Sequence, residues 1–229
     1  MIFDNNDIIE KFDGSAPVFS ISNFVMFPKT SYNFNIFESK YKDMVENISQ
    51  TNQLFCIHLK NEALDSGIHK IGTLCQIIES KQLDNGNYDI IASGIKKVSV
   101  KKVINDKSSY DTANLELISE NNFVHEEQLK RKKLINKFLS LISNGEDNLN
   151  LQMIDTSMIS TEMLTNLASL ILPLEKEDKQ KLLELDEISL RLDVLCQFLD
   201  SELKMESDLI NFKQIRCQVY STTEKNFQS

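Results

Sequence analysis

The sequence predicts an α+β protein in which a strand-rich first half, with one inserted helix, precedes an all-helical second half. Three observations carry this reading. Between Pro17 and about Ser119, apolar residues recur with a period of two, the mark of half-buried strands. Two β-rich runs meet across Asp84-Asn85-Gly86-Asn87, and Asn-Gly supplies the positive φ angles that a tight hairpin turn requires. After Glu120 the apolar spacing changes to three and four, the period of amphipathic helices.

The first strand is "PVFSI", with Val18, Phe19 and Ile21 as its apolar positions. Next comes "NFVMFPKT", where Phe24, Val25, Met26 and Phe27 run into Pro28. Four residues are far short of the ~20 needed to span a bilayer. They read as a buried strand stopped by a proline that has no ladder donor to offer. "SYNFNIF" alternates Tyr32, Phe34 and Ile36 and forms another strand. In "ESKYKDMVENISQ", Tyr41, Met44, Val45 and Ile48 lie at helical spacing, which makes this the inserted helix. "QLFCIHLK" returns to strand, and the hairpin follows. Gly94 interrupts the second hairpin run, where glycine marks a bulge or sharp bend. "YDTANLELIS" adds a last strand. Short antiparallel strands with one inserted helix suggest a small, curved, barrel-like sheet.

The helical half opens with "EEQLKRKKLINKFLSLI", which sets Leu129, Leu134, Phe138, Leu141 and Ile142 near one face. "STEMLTNLASLI" has Ser160 or Thr161 as its N-cap. "LPLEKEDKQKLLEL" places Glu175, Glu177 and Asp178 in a first turn, where they favour the helix dipole. From Glu187 onward, Ile188, Leu192, Leu195, Leu199 and Leu203 repeat at helical spacing, and the pattern extends more weakly toward Tyr220.

Composition excludes several functions. With 34 acidic and 25 basic residues, the net charge is −9, the wrong sign for general nucleic-acid binding. The basic stretch Lys130 to Lys133 follows Glu126 and Glu127 by one turn, a pairing that solubilises helices. Cys56, Cys75, Cys196 and Cys217 form no CxxC pair and read as buried small hydrophobes. His58, His69 and His125 belong to no ligand array, so no metal site is expected. No P-loop, GxGxxG or GxSxG segment is present. The first ten residues carry acidic rather than basic charge before any apolar stretch, unlike a secretory signal. A cytoplasmic protein without cofactor or catalytic set is expected.

The order of blocks resembles the amino-terminal domain of the Lon ATP-dependent protease family. Pro17, Asn23, Val25, Phe27, Pro28, Ile36, Phe37, Glu38, Tyr41 and Met44 match its opening pattern. Ile71, Gly72, Thr73, Gly86, Tyr88, Ile90, Gly94 and Val100 match its hairpin block, and "LPLEKEDKQKLLELDEISLRLDVLCQFLDSE" is similar to its helix pair. Lys29 stands where the family favours glycine, Asn35 where Leu or His is usual, Val98 where an aromatic is common, and Glu175 where Ser is typical. The resemblance spans about residues 17 to 204. It implies a PUA-like pseudo-barrel followed by a helical bundle ending in a long helix. It also implies a stand-alone domain lacking the ATPase and Ser–Lys protease modules.

The expected organisation is an extension over 1–16, the PUA-like region over 17–119, helices over 120–220 and a frayed tail over 221–229. The expected function is non-catalytic recognition of exposed polypeptide segments, with polypeptide substrates or a protease or chaperone as partners. An adaptor role in protein quality control fits the same expectation. Phe24, Met26 and Phe27 are the candidate peptide-binding residues, although core packing is the preferred reading for all three. The alternatives are a small-molecule binder or an RNA binder, the latter opposed by charge. A hydrolase would need a nucleophile and base in contact. The Ile188–Leu203 stripe could join two copies, but a bundle seam is the preferred reading.

Overall fold

The longest period-two run becomes β5 (Tyr88–Ile104), a strand of 17 residues that no single neighbour spans on both sides. The structure is a computed structural model that describes residues 5–60, 69–104, 108–120, 128–143 and 159–201. His125, Glu126, Glu127, Leu203, Cys217, Tyr220 and the 221–229 tail lie outside the described residues, as do the side chains of Phe138, Leu141 and Ile142. The chain divides into two compact units, Met1–Ser119 and Glu120–Ser229.

In the first unit, β4 (Ile71–Gln82) pairs along one edge of β5. The other edge is shared: β2 (Ser31–Ile36) covers Tyr88 to Ser93, and β6 (Thr112–Leu117) covers Val98 to Ile104. β3 (Leu54–Leu59) pairs with β4, while β1 (Ser15–Ile21) pairs parallel with β3 and antiparallel with β6. The order β2-β5-β4-β3-β1-β6, with β6 returning to β5, closes five strands into a barrel and leaves β2 outside the closure.

Strand alternation gives this sheet two apolar faces. Inside the barrel, Val18, Cys56, Leu74, Val98 and Leu115 come from all five closing strands. The short helix α1 (Asn5–Glu10) adds Ile8 to that core, so residues before Pro17 are part of the packed unit. On the outer face, Phe19, Phe55, Ile57 and Ile90 pack with Phe34 and Ile36 of β2. Tyr41, Met44, Val45 and Ile48 of helix α2 (Ser39–Ser49) cover the same face. The Tyr41 hydroxyl accepts from the Ser20 N–H at 3.3 Å and donates to the Ser20 carbonyl at 3.2 Å. It thereby satisfies β1 backbone groups beyond the end of the β6 pairing.

The run Phe24 to Phe27 is not a strand, contrary to its sequence pattern; residues 22 to 30 form an irregular segment. Side chains and β5 satisfy its backbone instead of a ladder. The Met26 carbonyl accepts from Thr73 Oγ1 and the Phe27 carbonyl from Thr30 Oγ1, each at 2.7 Å. The Lys29 N–H donates to the Gly94 carbonyl, and the Gly94 N–H donates to the Thr30 carbonyl, each at 2.8 Å. A Cβ on Gly94 would lie 2.3 Å from the Phe27 carbonyl oxygen, so only glycine permits this crossing. Ile95, next to Gly94, is the extra residue at a register shift against β4. Lys29 has φ of 59°, so a non-glycine residue occupies the left-handed corner of the bulge.

The second unit contains α3 (Gln128–Ser143), α4 (Thr161–Ile171), α5 (Lys176–Glu184) and α6 (Ile188–Ser201). Ser160 caps α4, its side chain accepting from the Met163 N–H at 3.1 Å. Ile188, Leu192, Leu195 and Leu199 are buried within the chain's own helices, so this stripe forms an intramolecular seam. Among them sits Arg191, fully buried. Its guanidinium donates to the carbonyls of Leu182 at 2.9 Å and Leu185 at 3.0 Å, to Asn166 Oδ1 and to the Glu120 carboxylate. Four of its five N–H donors are met and the Glu120 carboxylate balances its charge, as a buried ion requires. Lys130 and Lys133 pair with Asp193 at 2.5 Å and Asp200 at 2.6 Å, both on α6. Their described partners thus lie across a helix interface.

Two stability tests follow from these contacts. Lys29→Gly should raise the stability of the first unit by about 1 kcal/mol by relieving the left-handed backbone. Gly94→Ala should lower it by about 3 kcal/mol because the new methyl meets fixed backbone. Urea titration followed by circular dichroism measures both.

Lys179 offers a pH test. Its ammonium donates to the Leu170 carbonyl at 2.7 Å, and burial pulls its pKa down to about 8 from 10.5. The folded state therefore releases this proton first, and its destabilising contribution, complete below pH 8, fades as pH rises toward 10.5. Across that window wild-type stability should rise relative to Lys179→Met. A constant difference between the two proteins would show that Lys179 titrates normally.

Candidate functional site

A continuous run of rings leads from the outer-face core to the surface of the first unit. Phe55 and Tyr41 contact Phe19, with centroids 6.4 and 4.5 Å away. Phe19 meets Phe34 at 5.7 Å, edge to face. Phe34 meets Tyr32 at 4.9 Å and Phe24 at 5.2 Å, and Phe24 closes on Tyr32 at 4.4 Å. The spacing-two pattern of β2 puts Tyr32, Phe34 and Ile36 on one face, and the irregular segment lays Phe24 against it. Such pairs contribute ~0.5–1.5 kcal/mol each beyond burial. The outermost rings, Phe24 and Tyr32, are only half-buried. Phe37, just past β2, is 65% exposed.

The three sequence candidates separate here. Met26 is 1% exposed and Phe27 0%, so both are core side chains in this conformation. Phe24 alone retains surface. The structure adds Tyr32 beside it. Exposed Phe37 does not join them: Ile36 lies on the Tyr32 face, and two adjacent apolar residues in an extended chain point to opposite faces.

Polar side chains on and beside β2 find local hydrogen-bond partners. Asn35 donates to Asp89 at 2.6 Å, and the Tyr88 hydroxyl donates to Glu46 at 2.7 Å. The Glu46 bond raises the Tyr88 phenol pKa. Lys40 lies 4.5 Å from the Tyr41 ring centroid.

The chemistry available elsewhere is limited. Ser20 Oγ lies 2.9 Å from His58 Nε2, the contact a serine hydrolase would need. Ser20 and His58 are direct partners in the parallel β1–β3 ladder, and His58 is 2% exposed. Burial lowers the His58 pKa, and its other ring nitrogen faces its neighbour's carbonyl, Leu59, at 3.4 Å. The pair accounts for a satisfied cross-strand contact and lacks the accessible, oriented base that nucleophilic catalysis uses. The buried Cys56 thiol is pushed up to about 12, and Cys75 is also raised by burial. Neither is a ready nucleophile. Among the described residues no group of three metal-ligating side chains converges, and no helix is long and apolar enough to cross a membrane.

Residues 15–201 match the family described as the ATP-dependent protease La (LON) substrate-binding domain. The chain belongs to this family. The Lon protease of Buchnera aphidicola subsp. Acyrthosiphon pisum is 28% identical over 170 residues, covering 73% of this chain and 21% of that protein. The Lon protease of Buchnera aphidicola subsp. Baizongia pistaciae is 23% identical over 219 residues, covering 92% of this chain and 27% of that protein. The Lon-family chain thus spans only about a fifth to a quarter of these relatives.

The N-terminal domain of Mycobacterium avium complex Lon protease superposes with a TM-score of 0.68 at 14% identity, covering 82% of this chain and all of that one. A Lon N-terminal domain protein from Xanthomonas campestris gives 0.60 at 19% identity, over 79% and 96% of the two chains. These likenesses establish the α+β Lon N-terminal fold.

The division between core and surface rings has a direct check. Phe27→Ala should cost about 3–5 kcal/mol, as for a fully buried ring, whereas Phe24→Ala should cost about 1–2 kcal/mol. Urea midpoints of the two variants measure the difference, and equal losses would place Phe24 in the core as well.

Proposed function

We propose that this Lon-family chain recognises exposed apolar segments of other polypeptides and acts by binding rather than by cutting. The observation that carries the proposal is the half-buried Phe24–Tyr32 pair, backed by a packed line of rings. Aromatic anchors on a rigid support are the usual centre of a polypeptide interface, because they bury large area at little conformational cost. Family membership adds a substrate-binding domain as the setting. Within this reading, clients are unfolded or partly unfolded proteins, and the module serves as an adaptor to a protease or chaperone in the cytoplasm.

Fluorescence anisotropy with labelled, reduced and carboxymethylated α-lactalbumin tests the proposal, with the native, disulfide-intact protein as control. The chain should bind the unfolded form and ignore the native one. Combined substitution Phe24→Ser and Tyr32→Ser should weaken that binding tenfold or more while leaving the far-ultraviolet spectrum unchanged. Absence of binding to unfolded lactalbumin would reject the function, and unchanged binding by the double variant would reject the site.

A further inference from the structure

We propose that an extended, uncharged polypeptide segment docks by adding a strand to the outer edge of β2, so that backbone pairing holds the client and the aromatic rings select it. This deepens the recognition reading above and rests on it. The argument starts from the bonds at Gly94. Its N–H points at Thr30 and its carbonyl receives the Lys29 N–H, which fixes the phase of the ladder beyond. Successive residues of a strand turn their backbone groups to opposite sides. Ala92, Ile90 and Tyr88 therefore face β2 and exchange bonds with Tyr32, Phe34 and Ile36 in the observed register. Ser31, Asn33 and Asn35 must turn their N–H and C=O groups away from β5.

Nothing among the described residues answers those groups. β2 pairs with β5 alone, and no described backbone group outside the sheet bonds to Ser31, Asn33 or Asn35. Asn33 and Asn35 are exposed. Open edges are normally blunted by lysine, proline or a charge pointing inward, yet the strand SYNFNI contains none of these. The three residues recur every second position, a repeat of ~6.6–6.8 Å that only another extended backbone matches. Their N–H and C=O partial charges alternate along the edge, complementary to a second strand's own row.

The side chains specify the occupant further. In an added strand, alternate side chains fall on the face that carries Tyr32 and Phe34, where Phe24 lies within 4.4 Å of Tyr32. Aromatic or branched apolar side chains fit there. The edge itself carries no charge in a chain of net charge −9. The occupant is thus an extended segment with alternating apolar and small neutral side chains.

The test uses the whole chain and the heptapeptide acetyl-Thr-Phe-Thr-Val-Thr-Phe-Thr-amide, with two versions N-methylated on its odd or its even residues. Strand addition uses one set of peptide N–H groups, so one methylated version should lose tenfold or more in affinity and the other should bind like the parent. Asn33→Pro removes an outward N–H while sparing the ladder through Tyr32 and Phe34, and it should weaken the parent peptide equally. Hydrogen exchange should show new protection at Ser31, Asn33 and Asn35 when the parent peptide binds the wild-type chain.

Equal binding of both methylated peptides, with unfolded lactalbumin still bound, would overturn edge pairing and leave the recognition reading standing. Failure of lactalbumin and all peptides to bind would overturn both. A dimer in sedimentation equilibrium that Asn33→Pro dissociates would show a second copy on the edge and overturn the client segment as its occupant.

Discussion

The barrel unit is organised by one close approach, the carbonyl of Phe27 lying against β5 at Gly94, where no side chain can be tolerated. This contact lets the segment after β1 cross β5 with its apolar residues buried and its carbonyls met by Thr73 and Thr30. It places the left-handed Lys29 and sets where β2 begins. Because the ladder alternates, it also dictates which β2 residues bond to β5 and which look outward. A steric requirement at one glycine thereby determines the exposed chemistry of a strand several residues away.

The helical unit is organised differently, around a buried charge. Arg191 gathers two carbonyls at the end of α5, the amide of Asn166 on α4 and the carboxylate of Glu120. Removing one partner would strand a desolvated ion, which is far more costly than the net worth of an intact pair. An intact buried pair of this kind adds little net stability, because the desolvation of its charges offsets most of their attraction.

Much of this architecture was legible in local pattern. Asn85-Gly86 announced the hairpin, although Gly86 alone takes the positive φ expected of the pair; period two located the strands, and Ser160 announced its helix, because each signal depends on a few neighbouring residues. What was illegible depends on residues far apart. Phe24 to Phe27 carry the composition of a strand, but Thr73 and Gly94 decide their course. Arg191 reads as one more solvated charge on a leucine-rich helix until Glu120, 71 positions away, is placed beside it. The partners that Lys130 and Lys133 find in Asp193 and Asp200 lie more than sixty positions away, where no local pattern in the basic run points. For the candidate site, the sequence marked Phe24 but also Met26 and Phe27, since composition cannot tell which side of an irregular segment meets solvent.

The closure of the barrel has a consequence for biosynthesis. β1 depends on β6 for one edge and on parallel pairing with β3 for the other, so its partners lie some 40 and 100 residues downstream. Pairings of such sequence separation are slow, because loop closure must precede the contacts that reward it. On the ribosome, β1 must wait exposed until the segment Thr112–Leu117 has emerged. The open interval before closure is the stage at which the nascent chain itself displays the kind of apolar, extended segment that chaperones protect.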